Sequence, residues 1–447
     1  MKKKLLMLCG LLLVGLVMGG IAAAMTVSPS TNLTASELGI DHSSPGISGN
    51  YVVWDSEYID LVDSDSDIYL YNLADPVAGV IQVTDNGSSY DPNIDNGRIV
   101  YTYYDGEYYS VRMYTIDPQS DVEIIGGLDG WESFPDISGN NIVFRTWDNG
   151  QFCDVVRYIN LADAVPSEVQ ISPDSLQCGK LAVSGNYAVF TAFDGSYDGI
   201  YLKNLTQMAT EAVEITSNDG GEYKWPNIDG NTVVYEDNDN DIVYAYDINA
   251  MSTERISKAG ESADEPDIQG NNIVYSTWAD GVEPDEWVTF FNMVTGVYTP
   301  VSDPANYCCP DTPAVYGNNI LYLDHWDQVD DDYYDSVYHV KLTPTFDTVP
   351  GLTGPINITE GQAITTNPFI IKVYPTGGTE IVRVEFYIDG ILIGTVYAPN
   401  AEGIYECSWD TSLYHSVVKA VAYDVAGESI TIERNTTVLL ELPYTGR

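Results

Sequence analysis

Phe134 to Phe144 reads FPDISGNNIVF, and Glu265 to Tyr275 reads EPDIQGNNIVY. In both, a Gly-Asn pair separates a short run that starts near a proline from an apolar, β-branched run that ends on an aromatic ring. Glycine and asparagine tolerate positive φ, so the wording describes a tight hairpin between two strands. The same ten residues recur as PGISGNYVVW from Pro45, PNIDNGRIVY from Pro92, PDISGNNIVF from Pro135, LAVSGNYAVF from Leu181, PNIDGNTVVY from Pro226, PDIQGNNIVY from Pro266 and PAVYGNNILY from Pro313. Spacings of 47, 43, 46, 45, 40 and 47 residues match a four-stranded propeller blade and not a helical repeat.

Each unit continues through an Asp-rich turn into alternating runs such as DIYLYNL and IQVT, giving strands A to D, and the phrase itself is the A-to-B hairpin. Its role is geometric. The seventh unit supplies A, B and C but no D strand, whereas TNLTASELGIDHSSP from Thr31 precedes the first A strand. The N-terminal segment is therefore expected to complete the last blade, which removes an open sheet edge. The reading is an all-β chain: a seven-bladed β-propeller over residues 25–343, a Pro- and Gly-bearing linker over 344–354, and a small β-sandwich over 355–447. The last region is read from runs such as FIIKVYP, IVRVEFYIDG and VVKAVAYDVAG, which alternate at period two between turn residues.

The blade wording resembles the TolB-like propeller repeats of archaeal cell-surface and surface-layer proteins. The tail, with VEFYIDGILIGT and YECSWDTSLYHSVVKAVAYDVAG, is similar to bacterial-type immunoglobulin-like domains. The resemblance implies an extracellular binding or envelope component, and it carries over no catalytic residue.

Residues 1–24, with three lysines, an apolar run and small residues at Ala22 and Ala24, read as a secretory signal peptide; an uncleaved N-terminal anchor is the alternative membrane attachment. The expected location is extracellular or at the cell surface. Removing three lysines takes the formal charge from −48 to −51, with 66 acidic residues against 15 basic ones. Such a surface repels nucleic acid and anionic lipid. Sequons at Asn32, Asn86, Asn204, Asn357 and Asn435 fit a glycoprotein. Cys153 and Cys178 are expected to lie on one propeller face and to form a disulfide, while Cys308 and Cys309 are adjacent and Cys407 reads as core.

Two sets of side chains are candidates for chemistry. The turns DSDSD (Asp63, Asp65, Asp67) and DNDND (Asp237, Asp239, Asp241) alternate carboxylates as a Ca²⁺ site does, though without the glycine or distal glutamate of a full calcium loop. Aromatic and acidic residues recur past strand B and in the D-to-A loops: Tyr104, Trp131, Trp147, Trp225, Trp278 and Trp326 form the expected ligand face. No G-x-S-x-G elbow or H-E-x-x-H pair occurs. The expected function is a non-enzymatic adhesion, envelope or binding protein that recognises an extracellular glycan or protein. A polysaccharide-acting propeller enzyme is the alternative.

Overall fold

The computed structural model of the chain describes residues 26–34, 40–58, 65–126, 131–216, 221–278, 286–302, 310–329, 332–343, 345–346, 355–376, 381–400, 403–411, 415–425 and 429–438. The signal-peptide reading, Asp63, Cys308 and Cys309 lie outside the described residues. No helix occurs among the described residues, and the repeat folds as antiparallel sheets.

Six sheets have four strands in sequence order, from Ile40–Ser48, Tyr51–Tyr58, Ser66–Asn72 and Ile81–Gln82 in the first to Ser262–Gln269, Asn272–Trp278, Glu286–Asn292 and Val297–Pro300 in the sixth. In the seventh, Asp311–Tyr316, Asn319–Val329 and Asp332–Thr343 are completed by the N-terminal pieces Thr26–Val27 and Thr31–Asn32, both paired with the third strand. The missing D strand thus comes from the start of the chain. Leu33 follows it into the core between blades 7 and 1, beside Trp54, Leu321 and Val337. A buried apolar cluster fills each of the seven blade junctions, which closes the ring. Each fully buried Val, Leu, Ile or Phe there contributes about 1.5–3 kcal/mol.

The repeated phrase builds these junctions. Its glycine takes positive φ, as at Gly139 (φ 58), and the residue just before the turn reaches the next blade. Asp95 Oδ2 accepts the Gly139 N–H at 2.7 Å, Ser138 Oγ that of Gly185 at 3.0 Å, Ser184 Oγ that of Gly230 at 3.0 Å, and Asp229 Oδ2 that of Gly270 at 2.6 Å. Ser48 Oγ and Gln269 Oε1 do the same for Asn96 and Gly317. Deeper in the phrase, Asp136 Oδ2 accepts the Val183 N–H at 2.6 Å and Asp267 Oδ2 the Val315 N–H at 2.7 Å. In both cases the residue before the accepted N–H is an alanine, Ala182 or Ala314.

In the tail, a five-stranded sheet and the two-stranded ribbon Phe369–Val373 with Tyr405–Trp409 enclose one core that includes Phe386, Trp409, Val418 and Cys407. Asn318, in the last A-to-B turn, donates to Asp424 of this tail at 2.7 Å.

Candidate functional site: the mouth of the axial channel

Every A strand carries a bulge at the same place. The register slips between Ser43 and Gly46, Tyr90 and Asn93, Ser133 and Asp136, Cys178 and Leu181, Lys224 and Asn227, Asp264 and Asp267, and Asp311 and Ala314. Six blades start the phrase with a proline, which lacks the N–H that a ladder needs, and the strand bulges just before it; the fourth blade bulges at the same place with Leu181. The residue before the proline takes positive φ in all six: Ser44, Asp91, Phe134, Trp225, Glu265 and Thr312, at 45 to 52°. The fourth blade has Lys180 before Leu181, and there the φ stays negative.

These seven residues line one cavity of about 580 Å³ on the propeller axis. That volume is within the range of small-ligand sites. Strained non-glycine backbone repeated six times around a cavity is a feature that functional sites keep. The repeat makes the positions equivalent, yet their side chains differ: a hydroxyl, two acids, a lysine, two aromatic rings and a threonine.

A second set supports them, from the residue that follows the aromatic end of the phrase in strand B. Thr102 Oγ1 accepts the Phe134 N–H at 3.1 Å, Glu236 Oε2 that of Glu265 at 3.5 Å, and Thr191 Oγ1 donates to the Lys180 carbonyl at 3.5 Å. Arg145 occupies this position in blade 3, with its guanidinium carbon 4.3 Å from the Phe134 ring centroid. Lys180 Nζ stands 4.3 Å from the Trp225 centroid and 6.0 Å from that of Phe134.

Charge is divided around the ring. Blades 3 and 4 supply Arg145 and Lys180, and burial lowers the lysine pKa although its side chain opens on the cavity. Blades 5 to 7 supply Glu236, Asp264, Glu265 and Asp311. Burial first, then the mutual repulsion of these acids, pushes Asp264 up to about 8; burial likewise pushes Glu236 and Asp311 up to about 7. Glu265 accepts the Thr312 N–H at 2.8 Å. Asp55 is pushed up to about 7 by burial and by Asp91, and Asp91 is itself raised by burial against the opposing pull of Lys180 and Arg145.

The expected ligand face is distributed differently. Of its described residues only Trp225 lines the channel. Tyr104 and Trp131 come together through Tyr109, at centroid distances of 4.7 and 5.8 Å, with Trp131 55% exposed. Trp147 and Trp278 sit at the ends of separate B strands, and the Trp326 side chain lies outside the described residues. Among the described residues no three metal-ligating side chains converge. Asp237 is held by Asn240 Nδ2 at 3.0 Å, Asp239 accepts the Glu222 N–H, Asp241 the Ser262 hydroxyl, and Asp67 the Thr84 hydroxyl at 2.7 Å, while Asp65 joins none of these. Cys153 and Cys178 are free, buried thiols where a bridge was expected. Cys178 turns into the core between blades 3 and 4, with its Sγ 3.7 Å from the Leu176 carbonyl. Among the sequons, the side chains of Asn32 and Asn204 fold back on Thr34 and Thr206, Asn86 caps Ser88, and Asn357 and Asn435 donate to Ile370 and Glu360.

The ring residues Asp91, Phe134, Lys180 and Glu265, with Arg145, Glu236, Asp264 and Asp311 around them, were not among the sequence candidates. Their signal is the position just before or just after an otherwise constant phrase.

No family model and no curated protein matches the chain. Solved structures do. TolB from Acinetobacter baumannii aligns with 65% of this chain and 80% of its own at 15% identity and a TM-score of 0.37. A puromycin hydrolase mutant aligns with 77% of this chain at 11% identity and a TM-score of 0.52, and a prolyl endopeptidase with 86% at 11% and 0.51. The chain spans 60% and 53% of those two hydrolases. At such identity the likeness establishes the fold, a β-propeller. It also corrects the functional expectation: the matched folds belong to an endopeptidase and a hydrolase, and the reading as a non-enzymatic adhesion or envelope protein, with its polysaccharide-acting alternative, is withdrawn.

Proposed function

We propose that the chain is a peptide-handling β-propeller of the kind that accompanies peptide hydrolysis, admitting a peptide end into the mouth of its channel. One observation carries this: seven equivalent positions, six of them strained, hold side chains of different chemistry, with Lys180 and the neighbouring Arg145 on one arc, acids on the other and two rings beside the cations. A peptide end offers the complement, with opposite charges, backbone amides and apolar side chains on one short chain. The prolyl endopeptidase and puromycin hydrolase likeness supports a peptide over other zwitterions. The signal-peptide wording supports an extracellular or cell-surface location. The archaeal surface-layer resemblance and an immunoglobulin-like identity for the tail belong to the same proposal.

Calorimetric titration of the full chain with short peptides tests it. Micromolar to millimolar binding is expected, weakened in Trp225→Ala and Glu265→Gln. Binding that survives both substitutions unchanged would move the site away from the channel, and no binding by any peptide would sink the proposal.

A further inference from the structure

The protein has 18 lysines and arginines against 66 acids, so an unpaired cation is unexpected. Most described bases are indeed paired: Arg112 with Asp121 at 3.1 Å, Arg157 with Glu168 at 2.8 Å, Lys372 with Glu406 at 2.7 Å and Arg383 with Glu385 at 3.0 Å. Lys203 donates to the carbonyls of Gln207 and Met208. Arg145 and Lys180 differ. Among the described residues neither forms an ion pair or hydrogen bond, and the Arg145 Nε is buried with no acceptor.

Both meet the Phe134 ring, Arg145 at 4.3 Å and Lys180 at 6.0 Å, and Lys180 also meets Trp225 at 4.3 Å. The rings attract the charges but supply no acceptor for the N–H groups. Two cations on neighbouring blades repel each other; among the described residues the buried Arg145 Nε has no acceptor, and the Lys180 side chain is exposed to the cavity without an ion-pair or hydrogen-bond partner. An anion between them satisfies both.

We propose that Arg145 and Lys180, walled by Phe134 and Trp225, form a carboxylate subsite that receives the C-terminal carboxylate of a peptide whose last side chain is apolar or aromatic. This rests on the peptide reading above. A single negative charge suits the place better than a phosphate dianion, because Asp91 sits within electrostatic reach of both cations and Glu265 and Asp55 of Lys180. The two ring faces are placed to take the adjoining side chain. The acids Glu236, Asp264, Glu265 and Asp311 on the following blades remain for the amine end.

The test uses the full chain, with tryptophan fluorescence and calorimetry as readouts. The probes are Ala-Ala-Phe as the free acid, its C-terminal amide, phenylacetate and inorganic phosphate. The free acid should bind roughly tenfold or more tightly than the amide, the size expected when a charge-assisted pair is lost. Lys180→Gln and Arg145→Gln should each erase that difference while still binding the amide, and Lys180→Arg should keep it. Phenylacetate should compete with the acid. Overlaid melting curves for the variants separate loss of the subsite from loss of the fold. Equal affinity for acid and amide overturns the carboxylate subsite and leaves the peptide reading standing. Phenylacetate binding without peptide binding overturns the peptide reading and keeps the subsite. Preferential binding of phosphate, lost in Lys180→Gln, overturns both.

Discussion

Replacing Asp136 with alanine tests whether the repeated phrase holds neighbouring blades together. Its carboxylate accepts two backbone N–H groups, Val183 at 2.6 Å across the blade junction and Ile137 at 2.7 Å in its own strand. Ile137 and Val183 are 4% and 6% exposed, so water cannot replace the lost acceptor. An orphaned buried donor costs about 1–3 kcal/mol, and two give about 2–6 kcal/mol. Against this stands the cost of burying the acid, whose pKa burial raises from 3.8 to about 7. A group raised in the fold contributes stability that is complete below the unfolded value and is lost as pH rises through the folded one. That move is worth about 4 kcal/mol at most. The deficit of Asp136→Ala should therefore be larger at pH 5, about 2 kcal/mol or more, than at pH 8. Urea denaturation followed by circular dichroism at both pH values measures it. A deficit below about 0.5 kcal/mol at both, with an unchanged m-value, would show that the phrase does not brace the junction.

The whole chain should follow the same sign. Asp55, Glu236 and Asp311 at about 7 and Asp264 at about 8 lose their contribution as pH rises through those values, whereas His42 and His339, pushed down to about 4 by burial, lose theirs as pH falls from 6.5. Four acids outweigh two imidazoles, so the melting temperature should drop between about pH 5.5 and pH 8.5; a flat profile contradicts the burial of these acids. Leu33→Asp places a charge in the core that joins blades 7 and 1 and should cost more than about 3 kcal/mol, read as a cooperative fall in thermal unfolding of the ring. A local effect without a global shift would mean that the N-terminal strand is not a closing element. Calcium and sodium at matched ionic strength should raise the melting temperature equally, because Asp67, Asp237, Asp239 and Asp241 are each held by separate donors. An excess effect of calcium would refute that.

The propeller was legible because its signals are local. A Gly-Asn turn fixes a hairpin wherever it occurs, seven evenly spaced hairpins fix blades, and the missing D strand could be counted. The site was not legible for the same reason. Which side chain faces the axis depends on the bulge before Pro135 or Pro266, and a one-residue slip reverses the faces of a strand. Period-two alternation cannot show that slip. Aromatic residues past strand B looked equivalent by spacing, yet Tyr104 joins Trp131 through Tyr109 while Trp147 lies near the end of a separate strand. Cys178 was assigned to a loop face, and the bulge that follows it leaves the thiol in the core.

The constant and the variable parts of the repeat divide the labour. Inside the phrase, residues coordinate across junctions: Asp136 and Asp267 each accept the N–H that follows an alanine of the next blade, and Asn227 Nδ2 donates to Asp267 where an acid follows instead. Those choices are constrained by their neighbours, so they can vary little without loss of stability. Immediately outside it, at 134 and 145, 180 and 191, or 225 and 236, each side chain looks onto or backs the cavity, and the ladder does not care what it is. Seven blades thus give seven nearly independent places at one mouth, and the fold tolerates a lysine beside an arginine there only because neither is needed to hold a blade. An unpaired cation pair in so acidic a chain is what the proposed carboxylate guest would explain.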